Sequence, residues 1–462
     1  ISEQSGVTSF VVVATPEAEI EIDAEEVKAP TMNYREAEAL VAEKTAALAA
    51  TDEVVARAAA TIEKVEAEAA EAREKLHLAK VVASGEKVAD DKLVVMEGWA
   101  EEETAEKVDA MLEEYPNMIY LKRKPTEEDE TPVKLKNNRF ARLFELIGGM
   151  YALPKYGTLD LTPFFGPFYM LFFAICLNDA GYGAILLAAG IALYLKGGEK
   201  MRMASLLTMV CGGATTLFGL YTGSLFGMSI PDMLGYESIE KSPFLDFQND
   251  FFSIALAIGV LQIMFGMAIN IVMKSRLFGF KSAMPLLGWF IVLLSGVLAA
   301  ALPMLNEKWV IPFFTTSSVA FYVAVAIGLA FMLLFNGKNP IMSILSGLWD
   351  TYNNITGLLS DVLSYIRLFA IGLSGGVLAQ VFNQLAFGLT GLDSGIEQFG
   401  VGTIFQILGA AAILLVGHGI NLFMSAISSF VHPMRLTFVE FYKNAGFEMT
   451  SRNFEPLKKE VK

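Results

Sequence analysis

The sequence lacks most of what soluble catalytic centres are built from. Of 462 residues only two are cysteines, and both Cys176 and Cys211 lie inside apolar runs. No disulfide framework and no cysteine-based metal site is therefore expected. No glycine-rich phosphate loop of the type GxxxxGK followed by Ser or Thr occurs, since Gly337-Lys338 lacks the upstream glycine. Any nucleotide hydrolysis tied to this chain is expected on other subunits, with no cofactor held here. Basic residues are outnumbered, 35 Lys and Arg against 50 Asp and Glu, and a pI near 4.9 argues against a nucleic-acid partner. No apolar signal segment precedes the acidic N-terminal region, and the first residue is Ile1, so the chain is expected to begin inside a domain.

What is present is strongly segregated. Hydrophobic residues reach 54% and the mean hydropathy is +0.47, yet the net charge is -15. Residues 1–135 are rich in Glu, Ala and Lys, whereas residues 161–448 hold nearly all the Phe, Trp, Gly and Met. The expected fold class is mainly α: a polytopic membrane protein of about eight transmembrane helices, preceded by a cytoplasmic α/β lobe and a long coiled-coil strut. Residues 136–160 read as an interfacial linker and 449–462 as a cytoplasmic tail.

Within the soluble part, residues 7–14 read as a short strand. From Val41 the positions Val41, Leu48, Val55, Ile62, Ala69 and Leu76 recur every seven residues, with Ala58, Val65, Ala72 and Ala79 between them. Residues 34–83 would form a rod of ~75 Å with a paired partner helix, although Lys44 and Thr51 interrupt the seam. A β-α-β lobe is expected over about 91–123, with strands at 92–98 and 117–122 around a helix at 101–114.

Apolar segments of spanning length fall near 162–196, 203–229, 251–273, 284–304, 314–335, 350–389 and 399–446. The first is interrupted by Asn178-Asp-Ala-Gly-Tyr-Gly183 and divides there into a hairpin. Lys196, Lys200 and Arg202, then Lys274, Arg276 and Lys281, then Lys338 and the Lys-rich C-terminus fall on alternate connections. The opposite connections, 231–250 and the one with Asp393 and Glu397, are acidic. That asymmetry places both the N-terminal domain and the C-terminus in the cytoplasm. The last two segments exceed the ~20 residues a span needs, so they are expected to tilt.

Arg367 sits deep in the sixth of these segments, where a guanidinium costs at least ~2.5–3.5 kcal/mol and cannot shed its proton. Ser360, Ser364, Arg367 and Ser374 share a helix face. Asp361, six residues before Arg367, lies about 120° round the helix, so no local ion pair is available. On the last segment His418, Asn421, Ser425, Ser428, His432 and Arg435 form a polar stripe at spacings of three or four. Such a stripe suits either interhelical hydrogen bonds or a water-lined ion path. Pro433 is expected to break the helix near Arg435. Asp179, Asp350 and Glu440 are expected near span ends, where water or headgroups solvate them.

Ser364-Tyr-Ile-Arg-Leu-Phe369, His432-Pro-Met-Arg-Leu-Thr-Phe-Val-Glu440, Asn178-Asp-Ala-Gly-Tyr-Gly183, Tyr221-Thr-Gly-Ser-Leu-Phe-Gly227 and Val94-Val-Met-Glu-Gly-Trp99 resemble the membrane stator subunit (subunit a or I) of V-type and A-type rotary ATPases. The resemblance implies eight membrane helices beside a rotating proteolipid ring, in a bacterial cell membrane, with peripheral-stalk E/G-type subunits as partners and the soluble ATPase sector engaged indirectly. It implies that Arg367, assisted by Arg435, separates two half-channels for H⁺ or Na⁺. His418, Asn421, Ser425, Ser428, His432, Glu440, Asp361 and Ser364 are the residues expected to line them. A secondary ion-coupled transporter would use the same polar helices, but it would be expected to show a repeated architecture, and none is evident between 160–300 and 300–446. A scaffold would leave the intramembrane arginines without a purpose.

Overall fold

The computed structural model describes residues 33–235, 251–301, 311–335, 340–391 and 401–450, apart from 89, 91, 127, 128 and 312. It also describes strands β1 (Ser2–Gln4) and β2 (Val7–Ser9) and residues 303, 453, 454 and 456. The remainder of the expected strand 7–14, most of the acidic connections 231–250 and 390–400, Lys338 and most of the tail 449–462 lie outside the described residues. The chain forms two compact units, one of residues 1–98 with 456–462 and one of residues 99–455.

In the first unit, helix α1 runs from Tyr34 to Ala83, 50 residues. No Gly or Pro interrupts it, and Asn33 starts it by accepting from Glu36 N–H at 2.9 Å while Glu36 accepts from Asn33 N–H at 3.2 Å. The seam residues Val41, Leu48, Val55, Ile62 and Leu76 are all exposed. Strand β3 (Glu86–Val88) then pairs antiparallel with β4 (Leu93–Val95) as a hairpin.

In the second unit, α2 (Ala105–Glu113) is followed by a segment that departs from expectation. Residues 117–122 carry no strand. Ile119 and Leu121 are 94% and 96% exposed, so their apolar alternation finds neither a strand edge nor a core. The β-α-β lobe is thus replaced by a hairpin and then a helix.

The amphipathic helix α3 (Arg139–Tyr151) packs Phe144 and Ile147 onto the helices that follow. These are α4 (Thr162–Leu177), α5 (Ala180–Lys196), α6 (Arg202–Thr222), the short α7 (Ile230–Met233), α8 (Phe251–Leu277), α9 (Phe280–Gly296), α10 (Val319–Leu334), α11 (Pro340–Thr390) and α12 (Val401–Arg435). Among the described residues five apolar stretches, 202–222, 251–277, 280–300, 343–390 and 403–445, are long enough to cross a membrane, and 162–177, 180–196 and 319–334 are shorter apolar helices.

The break between α4 and α5 falls inside the expected hairpin motif. Asn178 closes α4 in the left-handed region at φ 39°, and Asp179 caps α5 by accepting from Tyr182 N–H at 3.0 Å. A small hairpin, β6 (Ser224–Leu225) with β7 (Met228–Ser229), follows α6. After α12 the helix widens into a π stretch over Leu436–Phe441 and ends in α13 (Tyr442–Ala445). Strand β5 (Leu153–Pro154) pairs with β8 (Met449–Thr450), tying the C-terminal segment to the stretch between α3 and α4.

Two aromatic-rich clusters form the core. One gathers Phe144, Phe165, Tyr169, Phe438, Phe441 and Tyr442; the other joins Phe172, Ile263, Met267, Tyr365, Leu368 and Leu436. Tyr365 and Leu368, both fully buried, flank Arg367 and fix the roll of α11 at that point.

Candidate functional site

Arg367 is half-buried, and its Nη1 is buried without a hydrogen-bond partner among the described residues. Neither Asp361 nor Glu440 forms an ion pair with it among the described residues. Asp361 accepts instead from Lys443 Nζ at 3.1 and 3.2 Å and from Asn444 Nδ2 at 2.9 Å. Asn444 also donates to the Glu440 carbonyl, and Asn270 of α8 donates to the carbonyl of Asn444. That ties α8, α11 and α13 together.

Glu440 is only 2% exposed, and its Oε2 has no partner among the described residues. Expected at a solvated span end, it is instead enclosed, within the π stretch Leu436–Phe441. Ser364 faces its carboxylate, and both Arg367 and Asp361 lie within Coulombic range of it. Asp179 likewise is buried rather than solvated, accepting from Gly227 N–H at 2.9 Å and Ser224 Oγ at 3.3 Å in addition to its cap. Asp350 is exposed, as expected.

Pro433 does not break α12. The helix runs through it, and the irregularity appears just beyond, as the π stretch that starts after Arg435. His432 lies within Coulombic range of both Arg367 and Arg435, and Arg435 itself is exposed. Besides Arg367 Nη1 and Glu440 Oε2, the buried atoms Ser429 Oγ, His432 Nδ1 and Thr437 Oγ1 also lack partners among the described residues. Five polar atoms from α11, α12 and the π stretch thus remain unsatisfied by the described residues, where nearly all buried polar atoms are normally paired. Each demands water or a group from another molecule.

The other half of the stripe is different. His418 Nδ1 lies 2.6 Å from Tyr182 OH and its Nε2 lies 3.0 Å from Asn383 Oδ1. Asn421 Nδ2 donates to Tyr182 OH and to the Gly375 carbonyl, each at 3.0 Å, and Ser425 Oγ donates to Asn421 Oδ1 at 3.2 Å. Ser428 is half-buried beside Ser429, the fully buried member of that pair. Ser364 Oγ donates to the Ser360 carbonyl at 3.0 Å.

Sequence reasoning missed Tyr182 and Asn383 as partners of His418, Lys443 as the partner of Asp361, and Ser429 and Thr437 as buried polar residues. Ser429 and Thr437 flank Pro433 at intervals of four, a signal present in the sequence. The partners of His418 and Asp361 come from helices distant in the chain. Among the described residues no three His, Cys, Asp or Glu side chains converge as metal ligands.

Residues 17–230 and 347–459 match the family described as the V-type ATPase 116 kDa subunit family. The A-type ATP synthase subunit I of Methanocaldococcus jannaschii is 26% identical over 401 residues, covering 80% of this chain and 55% of the relative. That of Pyrococcus abyssi is 32% identical over 388 residues, covering 79% and 54%. The V-type ATP synthase subunit I 1 of Treponema pallidum is 28% identical over 352 residues, covering 72% and 53%. The chain spans about half the length of these curated relatives.

Proposed function

We propose, from the premise that the chain belongs to the V-type ATPase 116 kDa subunit family, that this integral membrane protein is the stator of a rotary ATPase or ATP synthase and carries H⁺ or Na⁺ past Arg367. It binds no nucleotide; ATP is handled by the soluble sector. In this reading α4, α5, α6 and α8 to α12 form eight spans with both termini cytoplasmic, in a bacterial cell membrane. The elongated α11 and α12 lie obliquely along a proteolipid ring, and α1, whose apolar seam is exposed, pairs within the strut that engages the peripheral stalk.

The observation that carries the reading is the unpaired guanidinium. A half-buried Arg whose buried Nη1 meets no acceptor among the described residues is costly unless something visits it. A ring carboxylate suits that role. When loaded with its ion it is neutral and tolerates lipid; beside Arg367 its ionised form is favoured, so the ion leaves before the site passes. Arg367 also repels cations that would leak directly from one half-channel to the other. Ser429, His432, Thr437 and Glu440 line the approach on one side, where their unsatisfied atoms hold water.

Thiol labelling tests this. In a variant of the assembled complex lacking Cys176 and Cys211, Ser429→Cys and Thr437→Cys react with a membrane-impermeant thiol reagent. Phe172→Cys, in the dry core, stays unlabelled. Equal protection of all three positions would contradict a hydrated approach to Arg367.

A further inference from the structure

The hydrogen bonds around His418 form one directed chain, and its direction can be worked out from both ends. Asn421 Nδ2 faces the Gly375 carbonyl, which can only accept, so the amide's N–H₂ side is fixed there and also donates to Tyr182 OH. The Tyr182 hydroxyl, which accepts from Asn421, has its own proton to send to His418 Nδ1, 2.6 Å away. From the other end, Asn383 Nδ2 donates to the Phe226 carbonyl at 2.7 Å. Its Oδ1 therefore faces His418 Nε2 at 3.0 Å, and that nitrogen must carry a proton. The Asn383 end fixes the proton on Nε2, and a neutral imidazole with Nδ1 accepting from Tyr182 OH and Nε2 donating satisfies every contact at both ends.

The flanking geometry holds this arrangement. The Asp179 carboxylate accepts from Gly227 N–H, which sets the turn whose preceding residue, Phe226 at φ 50°, presents its carbonyl to Asn383. The Phe226 ring packs edge-on against Tyr182 at 5.7 Å and His418 at 5.8 Å. Gly227 is pressed so closely on α11 that a Cβ there would lie 2.6 Å from Ala379 Cβ.

We infer that Tyr182, Asn383 and Asn421 are positioning residues that hold neutral His418 as a clamp joining α12 to α5 and α11, and that the transported ion does not pass along these hydrogen bonds. A proton relay needs groups that accept a proton at one site and release it at another. Here both ends of the Tyr182–His418 pair terminate on amides, which are poor proton carriers, and neither imidazole nitrogen is left free. The clamp fixes the lateral position of α12, and with it Ser429, His432 and Glu440 relative to Arg367. The inference rests on the stator reading.

The test uses the assembled rotary complex carrying this chain, reconstituted in vesicles, with ATP-driven ion uptake, its pH profile and thermal dissociation measured together. His418→Asn keeps an acceptor near the Nδ1 position and cannot titrate; His418→Gln keeps a donor near Nε2. At least one of them is expected to retain uptake within about threefold, the scale of one interhelical hydrogen bond, with an unchanged pH profile. Tyr182→Phe, which strands His418 Nδ1 and removes one of the two acceptors of Asn421 Nδ2, is expected to lower the dissociation temperature. Loss of uptake by about a hundredfold in both His418 variants with dissociation unmoved would assign His418 a proton-carrying role and overturn the clamp, as would a Tyr182→Phe complex with unaltered dissociation. Arg367→Gln, run alongside, reports separately on the stator reading: if it transports normally, that reading fails whatever the His418 variants do.

Discussion

The Asp361–Lys443 pair makes an asymmetric prediction about stability. The Asp361 side chain is 8% exposed and that of Lys443 is 56% exposed, so the two partners lose different things when separated. Asp361→Asn releases Lys443 to solvent and keeps an acceptor for Asn444 Nδ2. Since the lysine is largely solvated, the lost attraction is discounted to about 1 kcal/mol. Lys443→Ala instead leaves a buried carboxylate with Asn444 as its remaining side-chain donor. Breaking a fully buried pair costs about 3–5 kcal/mol, and with one donor retained and partial exposure about 2–3 kcal/mol is expected. The double variant Asp361→Asn/Lys443→Ala removes the stranded charge and should return to a cost near that of Asp361→Asn alone, giving a coupling of about 2 kcal/mol. Equilibrium unfolding of the four proteins in mixed micelles at neutral pH measures this cycle. The reasoning is refuted if Lys443→Ala is no more costly than Asp361→Asn, or if the double variant shows the sum of the two.

Gly227→Ala places a Cβ 2.6 Å from Ala379 Cβ and 2.7 Å from Gln380 N, at a residue with φ 71°. It should cost about 2–4 kcal/mol and sharply reduce the yield of monodisperse protein, whereas Gly376→Ala, with nothing near its added methyl group, should not. Tyr365→Phe removes the 2.7 Å bond from Tyr365 OH to Gln262 Oε1 and should cost about 1–3 kcal/mol, read in the same unfolding assay. Outside the membrane helices, Arg123 and then the Thr126 donors hold the Asp129 carboxyl at about 2. The folded value lies below the ordinary ~3.9, so this contribution to stability is present above about pH 4 and is lost as pH falls through about 2. A carbon-13 titration of Asp129 with its midpoint near 4 would contradict the contact.

Much of the architecture was legible because it depends on local chain chemistry. The uninterrupted helix 34–83, the division at Asn178-Asp179 and the great length of the last two helices all follow from composition, capping and turn residues. The absence of a local Arg367–Asp361 pair followed from helix geometry. What was hidden depends on pairing between distant elements. The segment 117–122 alternates like a strand but has no edge to join. Glu440 reads as a span-end acid until the π stretch changes the phase of the helix. The stripe on α12 reads as one feature, yet neighbours on α5 and α11 pair its members His418 and Asn421, and Asn421 pairs Ser425, while His432 Nδ1, like Ser429 and the π-stretch residues Thr437 and Glu440, has a buried atom without a partner among the described residues.

The central claim is that Arg367 acts on a carboxylate of a neighbouring moving subunit. Its most direct measurement is ATP-driven ion uptake by vesicles containing the assembled complex with Arg367→Ala. A lost charge-assisted contact of ~1.5–3 kcal/mol predicts coupled uptake reduced by at least about tenfold, with subunit composition unchanged. Uptake near the parent rate in an intact Arg367→Ala complex would contradict the account.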